Sequence, residues 1–176
     1  MAPLGALSLN LDAMAELLAS CPAFQSWVGA ANETAALAFV YKGEVSGAEP
    51  LPLAVVDHAD NGFSFTRKAA FQSPRFSGRF TLALVGAAAF AEGDWEAYEA
   101  ERETFYNMVG VVVDQLMERS ARLVTLPSAR VPALQGGELI TIRLTNDERR
   151  QVRGNDPDAA RDREWMAVLS FDWGVA

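Results

Sequence analysis

The chain has 176 residues, half of them hydrophobic and 22% charged, a balance that builds a packed core rather than a disordered segment. Its formal charge of −8 and pI near 4.7 set the net field against nucleic acid phosphates and anionic lipid surfaces. One cysteine, Cys21, and one histidine, His58, exclude an internal disulfide and a Cys/His zinc site, and the composition fits folding in a reducing cytoplasm. At this length a single domain over 1–176 is expected, burying roughly two thirds of its unfolded surface. The longest apolar stretch, Phe80 to Phe90, is about half of what a membrane-spanning helix needs. Asp12 and Glu16 interrupt the place where a secretory signal would be apolar, so the N-terminus reads as part of the fold.

In chain order, Leu11, Met14, Ala15 and Leu18 recur at helical spacing with Asn10 as the expected cap, which predicts a short amphipathic helix from Leu9 to Leu18. Pro22 stops it, and Phe24, Trp27 and Val28 predict a second short buried turn or helix. Leu37, Phe39 and Tyr41 alternate with smaller residues, predicting a first strand over Ala36 to Lys42. Leu53 to Asp57 and Gly62 to Arg67 are further strands, and Asn61-Gly62 between them predicts a hairpin turn. Phe71 to Gly78 reads as irregular and leads into a strand over Arg79 to Val85, with Phe80, Leu82 and Leu84 on one face.

Asp94 is placed to cap a long helix whose apolar stripe runs through Trp95, Tyr98, Phe105, Val109, Val112 and Leu116. Glu99, Glu101, Glu103, Asp114 and Glu118 are expected on its wet side, and Gly110 against another backbone. Leu126 to Gly137 reads as a loop, Ile140, Ile142 and Leu144 as a strand, and Thr145 to Glu164 as a charged segment. The chain closes on a strand through Trp165, Ala167, Leu169 and Phe171. The order predicts an α+β domain: a mostly antiparallel sheet with a long helix and a short N-terminal helix packed on it, and a charged loop at 146–163.

Chemistry-bearing candidates are few. Asp57, His58 and Asp60 are the one place where an imidazole meets carboxylates, which suits a metal ligand or general base, but beside Asn61-Gly62 a polar turn is the stronger reading. Cys21 reads as a buried structural thiol. Gly136-Gly137 and Gly43 to Gly47 lack the Gly-Lys-Ser or Gly-Lys-Thr continuation of a phosphate-cradling loop, so no cofactor is implied. Arg143, Arg149, Arg150, Arg153, Arg161 and Arg163 are interleaved with Asp147, Glu148, Asp156, Asp158, Asp162 and Glu164, the pattern of a partner-facing rim more than of a nucleic-acid patch. Glu99 and Glu103 on the long helix could meet that arginine segment of a neighbouring copy.

Three stretches, Phe105-Tyr106-Asn107-Met108-Val109-Gly110-Val111-Val112, Gly136-Gly137-Glu138-Leu139-Ile140-Thr141-Ile142-Arg143-Leu144 and Glu164-Trp165-Met166-Ala167-Val168-Leu169-Ser170-Phe171-Asp172-Trp173-Gly174, carry a resemblance. In order and spacing they resemble tail-terminator or tail-completion subunits of long-tailed bacteriophages and related gene transfer particles, from about Arg79 to the end. The resemblance implies a non-enzymatic virion protein of the neck, made in the host bacterial cytoplasm. It further implies a ring, commonly of six copies, that caps the tail tube and meets the major tail tube protein and the head-completion connector, with DNA only as passing cargo. The segment Asn146 to Arg163 is longer than a compact terminator would carry. Two other readings stay open: another neck or minor tail component of the same fold, and a small-ligand binder or enzyme using Asp57, His58 and Asp60.

Overall fold

The structure, a computed structural model, describes residues 6–43, 45, 49–59, 64–66, 75–121, 133–146 and 163–175. Three helices come first, α1 (Ala6–Ala19), α2 (Pro22–Trp27) and α3 (Glu33–Leu37), followed by strands β1 (Val40–Lys42), β2 (Leu53–His58), β3 (Ser64–Thr66) and β4 (Arg75–Ala87). The long helix α4 (Trp95–Ala121) precedes β5 (Ala133–Asn146) and β6 (Arg163–Val175). The fold is α+β, with one sheet in the order β1-β2-β4-β6-β5 and β3 attached to β4. Among the described residues only the β1–β2 pair is parallel; the remaining ladders are antiparallel. No described helix is long and apolar enough to cross a membrane.

Strand alternation explains the two faces of the sheet. Ala54 and Val56 on β2, Phe80, Leu82 and Leu84 on β4, and Ala167, Leu169, Phe171 and Trp173 on β6 are all buried. Met14, Leu17 and Leu18 of α1, Phe24 of α2 and Phe105, Val109, Val112 and Leu116 of α4 join them in one core. Two aromatic groups sit at opposite ends of the β4–β6 ladder. At one end His58, Phe80 and Trp173 form a row across three strands, with centroids 5.3 and 5.2 Å apart between neighbours. At the other, Trp165 touches the rings of Phe105 and Tyr98 at 5.9 and 5.6 Å. Gly78 lies opposite Trp173 in the ladder, and a Cβ there would come within 3.1 Å of the indole, so the absent side chain makes room for the ring.

The helix ends are tied by specific groups. The Asp94 carboxylate accepts from the backbone N–H of Ala97 at 3.0 Å, the cap expected of it. The N-terminus of α2 is closed from a distance: Ala23 N–H donates to the Gln115 side-chain oxygen of α4 at 2.9 Å. Its C-terminus ends on Gly29 at φ +68°, with Gly29 N–H donating to Ser26 and Ala30 N–H to Gln25, a left-handed stop that glycine adopts without strain.

Several local expectations are corrected. α1 begins at Ala6, so Asn10 lies within the helix and is not its cap; Ala6 and Leu7 are good helix formers that carry it further back. Ala36 and Leu37, expected to open the first strand, belong to α3 instead, because Asn32 accepts from Ala35 N–H at 2.9 Å and nucleates a turn through two alanines; the strand starts at Val40. β2 and β3 do not form a hairpin. Both run antiparallel to β4 on its side away from β6, β2 against 80–85 and β3 against 75–77, so they lie end to end. The Asn61-Gly62 turn itself lies outside the described residues. Gly136 and Gly137, expected in a loop, are inside β5.

Candidate interaction surface

β5 is the outer strand of the sheet, and its ladder with β6 is irregular. Leu139 pairs with Leu169 and Thr141 with Val168, which leaves Ile140 as an extra residue in a β-bulge. The bulge shifts the phase of the strand. Gly137, Leu139 and Ile142, opposite Phe171, Leu169 and Ala167, share the helix-covered face; Glu138, Thr141 and Arg143, opposite Ser170, Val168 and Met166, share the other. Leu139 and Ile140 are 52% and 57% exposed, against complete burial of Leu82 and Leu84 two strands away. Half-exposed Tyr106 of α4 adds to the same margin.

Between α4 and β5 runs a groove of about 470 Å³, lined chiefly by Tyr106, Gly110, Val113, Met117, Leu139 and Phe171, with Asp114 beside them. Gly110 faces it with open space where a Cβ would stand, so the expected close packing against another backbone is absent within the described chain. Helical spacing places residues 106, 110, 113 and 117 on one stripe, adjacent to the buried stripe of Phe105, Val109, Val112 and Leu116.

The acidic side of α4 is less uniform than its sequence suggests. Glu99 pairs with Arg102 at 2.5 Å, and that guanidinium lies 5.7 Å from the Tyr98 ring centroid; both side chains stay partly in water, where such a pair contributes little to stability. Glu103 is exposed on the same helix. Glu101, expected in water, instead turns inward. It accepts from the Trp165 indole N–H at 2.9 Å and from the backbone N–H of Ala89 at 3.0 Å, because its spacing from Tyr98 and Phe105 puts it on the buried stripe. Trp95, expected on that stripe, is 75% exposed and meets Tyr98 in a T-shaped ring contact.

Of the arginines singled out from the sequence, Arg143 stands exposed on β5. Arg163 opens β6, holds Glu92 at 3.6 Å and lies 5.1 Å from the Phe90 ring centroid, so it is already engaged within its own chain. Arg149, Arg150, Arg153 and Arg161 lie outside the described residues. Their segment is bracketed by the pair Asn146↔Arg163, which makes residues 147–162 the connection of the β5–β6 hairpin.

Of the Asp57, His58 and Asp60 constellation, the structure describes two members. Successive strand residues point to opposite faces: His58 stacks on Phe80, while Asp57 is exposed and accepts from the His58 backbone N–H at 2.7 Å. Asp60 lies outside the described residues, and neither Asp57 nor His58 lines the α4–β5 groove. Cys21 is fully buried, its Sγ donating to the Leu17 carbonyl at 3.4 Å, and burial pushes the thiol up to about 12 despite nearby Arg119. Such a thiol is un-ionised at neutral pH and is no nucleophile.

The sequence had one legible sign of the exposed margin. In Glu138-Leu139-Ile140-Thr141-Ile142 two large apolar residues stand side by side where strict alternation would allow one. That doubling marks the bulge and the exposed pair.

The class these features define is an α+β domain with a one-sided helical layer and an apolar outer margin at β5. No family model matches the sequence, and no curated protein matches it. Among solved structures, the chain is similar to one chain of a particle described as the virion of a native gene transfer agent. The two share 15% identity at a TM-score of 0.44, over 98% of this chain and 100% of that one.

Proposed function

We propose that this protein is a non-enzymatic structural subunit of a virion-like particle. It works as a ring-forming neck protein that caps a tail tube and meets the head connector. The observation that carries the subunit reading is the set of exposed large apolar side chains, Leu139, Ile140 and Tyr106, along one margin beside an apolar groove. A margin of this kind is what a protein burying its surface against other subunits presents. The neck assignment is supported by the three stretches that resemble tail-terminator subunits; they occupy the middle of α4, the middle of β5 and nearly all of β6. The mechanism is geometric: a closed ring matches the end of the tube, stops its growth and offers the opposite face to the connector. An acidic subunit suits a passage for DNA because a negative lining does not hold phosphates.

The test is the composition of purified particles together with the mass of the chain in solution. The chain is expected at a fixed low copy number in particles, and its removal is expected to leave tails of uncontrolled length that do not join heads. A strictly monomeric chain that is absent from particles overturns the proposal.

A further inference from the structure

We propose that the outer edge of β5 is a self-complementary docking strand that pairs antiparallel with β5 of a second copy, in the register that sets Glu138 against Arg143. Three observations lead there. First, β5 pairs only with β6 among the described residues, so a strand of 14 residues presents a row of backbone donors and acceptors on its other side. The opposite edge strand, β1, has three residues and cannot serve as an equal partner. Second, exposed Leu139 and Ile140 lie at the middle of that edge.

Third, the charges and the bulge fit one occupant. In the register that opposes Glu138 to Arg143, the same two-fold opposes Leu139 to Ile142 and Ile140 to Thr141. These three central pairs then carry unlike charges, two apolar groups, and the bulge residue against a threonine. The faces agree as well, since Glu138 and Arg143 share one face of β5 and Leu139 and Ile142 the other. In an unbroken strand, residues five apart point to opposite faces, so this match exists only because Ile140 shifts the phase. A second β5 carries the same phase shift, so its faces match on both sides of the bulge without a skipped residue, and its Glu138 and Arg143 supply the opposite charges. Outward from the centre, Gly137 and Gly136 oppose Leu144 and Thr145, small against larger.

The two-fold of such a pair stands perpendicular to the sheet and puts both copies of α4 on one face, flanking the seam. The groove beside Tyr106 and Gly110 then lies next to its counterpart and is shielded from water. This contact closes on two copies, whereas a ring needs a different, head-to-tail contact. The two can therefore fail separately.

Charge exchange tests the pairing on the full chain, with sedimentation measuring association and circular dichroism confirming that each variant is folded. Because the two-fold repeats the pair, Glu138→Arg alone sets arginine against arginine twice, and Arg143→Glu alone sets glutamate against glutamate twice. Each single variant is expected to raise the dissociation constant of the pair by at least about tenfold. The double variant is expected to restore it. An equimolar mixture of the two single variants is expected to form a mixed dimer tighter than either alone, which a variant that failed to fold could not do. A wild-type chain that shows no two-copy step, single variants that associate like wild type, or a mixture that stays apart each overturns the proposal. Loss of ring formation with an intact two-copy step would instead count against the neck function alone.

Discussion

The β4–β6 ladder and the β5 margin belong to one sheet and have opposite characters. Phe80, Leu82, Leu84, Leu169 and Phe171 are closed in under the helices, and the glycine opposite Trp173 is there to admit an indole. One strand further out, the same alternation is broken by Ile140, and large apolar residues stand in water beside a glycine that faces open space. Substitutions in the first region should therefore act on folding, and substitutions in the second on association.

The largest expected effect is in the ladder. Trp173→Ala removes a fully buried indole stacked on Phe80 and should cost about 3–5 kcal/mol, lowering Tm by roughly 10 °C. A thermal melt by circular dichroism checks it, and a loss under about 1 kcal/mol would mean that this end of the ladder is not packed as described. Gly137→Ala probes the boundary between the regions. A Cβ there would meet Phe171 at 2.8 Å and the Ser170 carbonyl at 3.3 Å, so chemical denaturation should show a loss of about 1–3 kcal/mol.

Gly110→Ala should have the opposite sign. The new methyl enters open space on an exposed helix position, and the fold should gain about 0.5–1 kcal/mol by the same measurement. A marked destabilisation would show that this face of α4 is already covered. Smallest in stability is Ile140→Thr, expected within about 0.5 kcal/mol of wild type because the side chain is more than half exposed. Its effect should appear instead as weaker association in sedimentation.

The sequence made the inner region legible and the outer one obscure, for physical reasons that particular residues show. The Asp94 cap, the stripe from Phe105 to Leu116 and the alternation from Trp165 to Phe171 each arise from local periodicity that tertiary contacts reinforce. Asn61-Gly62 misled because turn chemistry is local, whereas β2 and β3 both find their partner in β4. Glu101 was assigned to water by its charge, yet a buried indole N–H and a backbone N–H require an acceptor, and it supplies one to both. For the candidate surface, Glu99, Glu103 and the arginines were picked by charge alone. Among them Arg143 stands on the exposed margin, while Glu99 and Arg163 are engaged within their own chain. The apolar pair at the bulge carried no charge to mark it.

The mass of the purified wild-type chain in solution, followed over the micromolar range, tests most directly the claim that this protein acts through its surfaces. A multi-copy species that grows with concentration, and that Glu138→Arg weakens without unfolding the chain, is the predicted result. A folded monomer at every concentration, unaffected by that substitution, would contradict it.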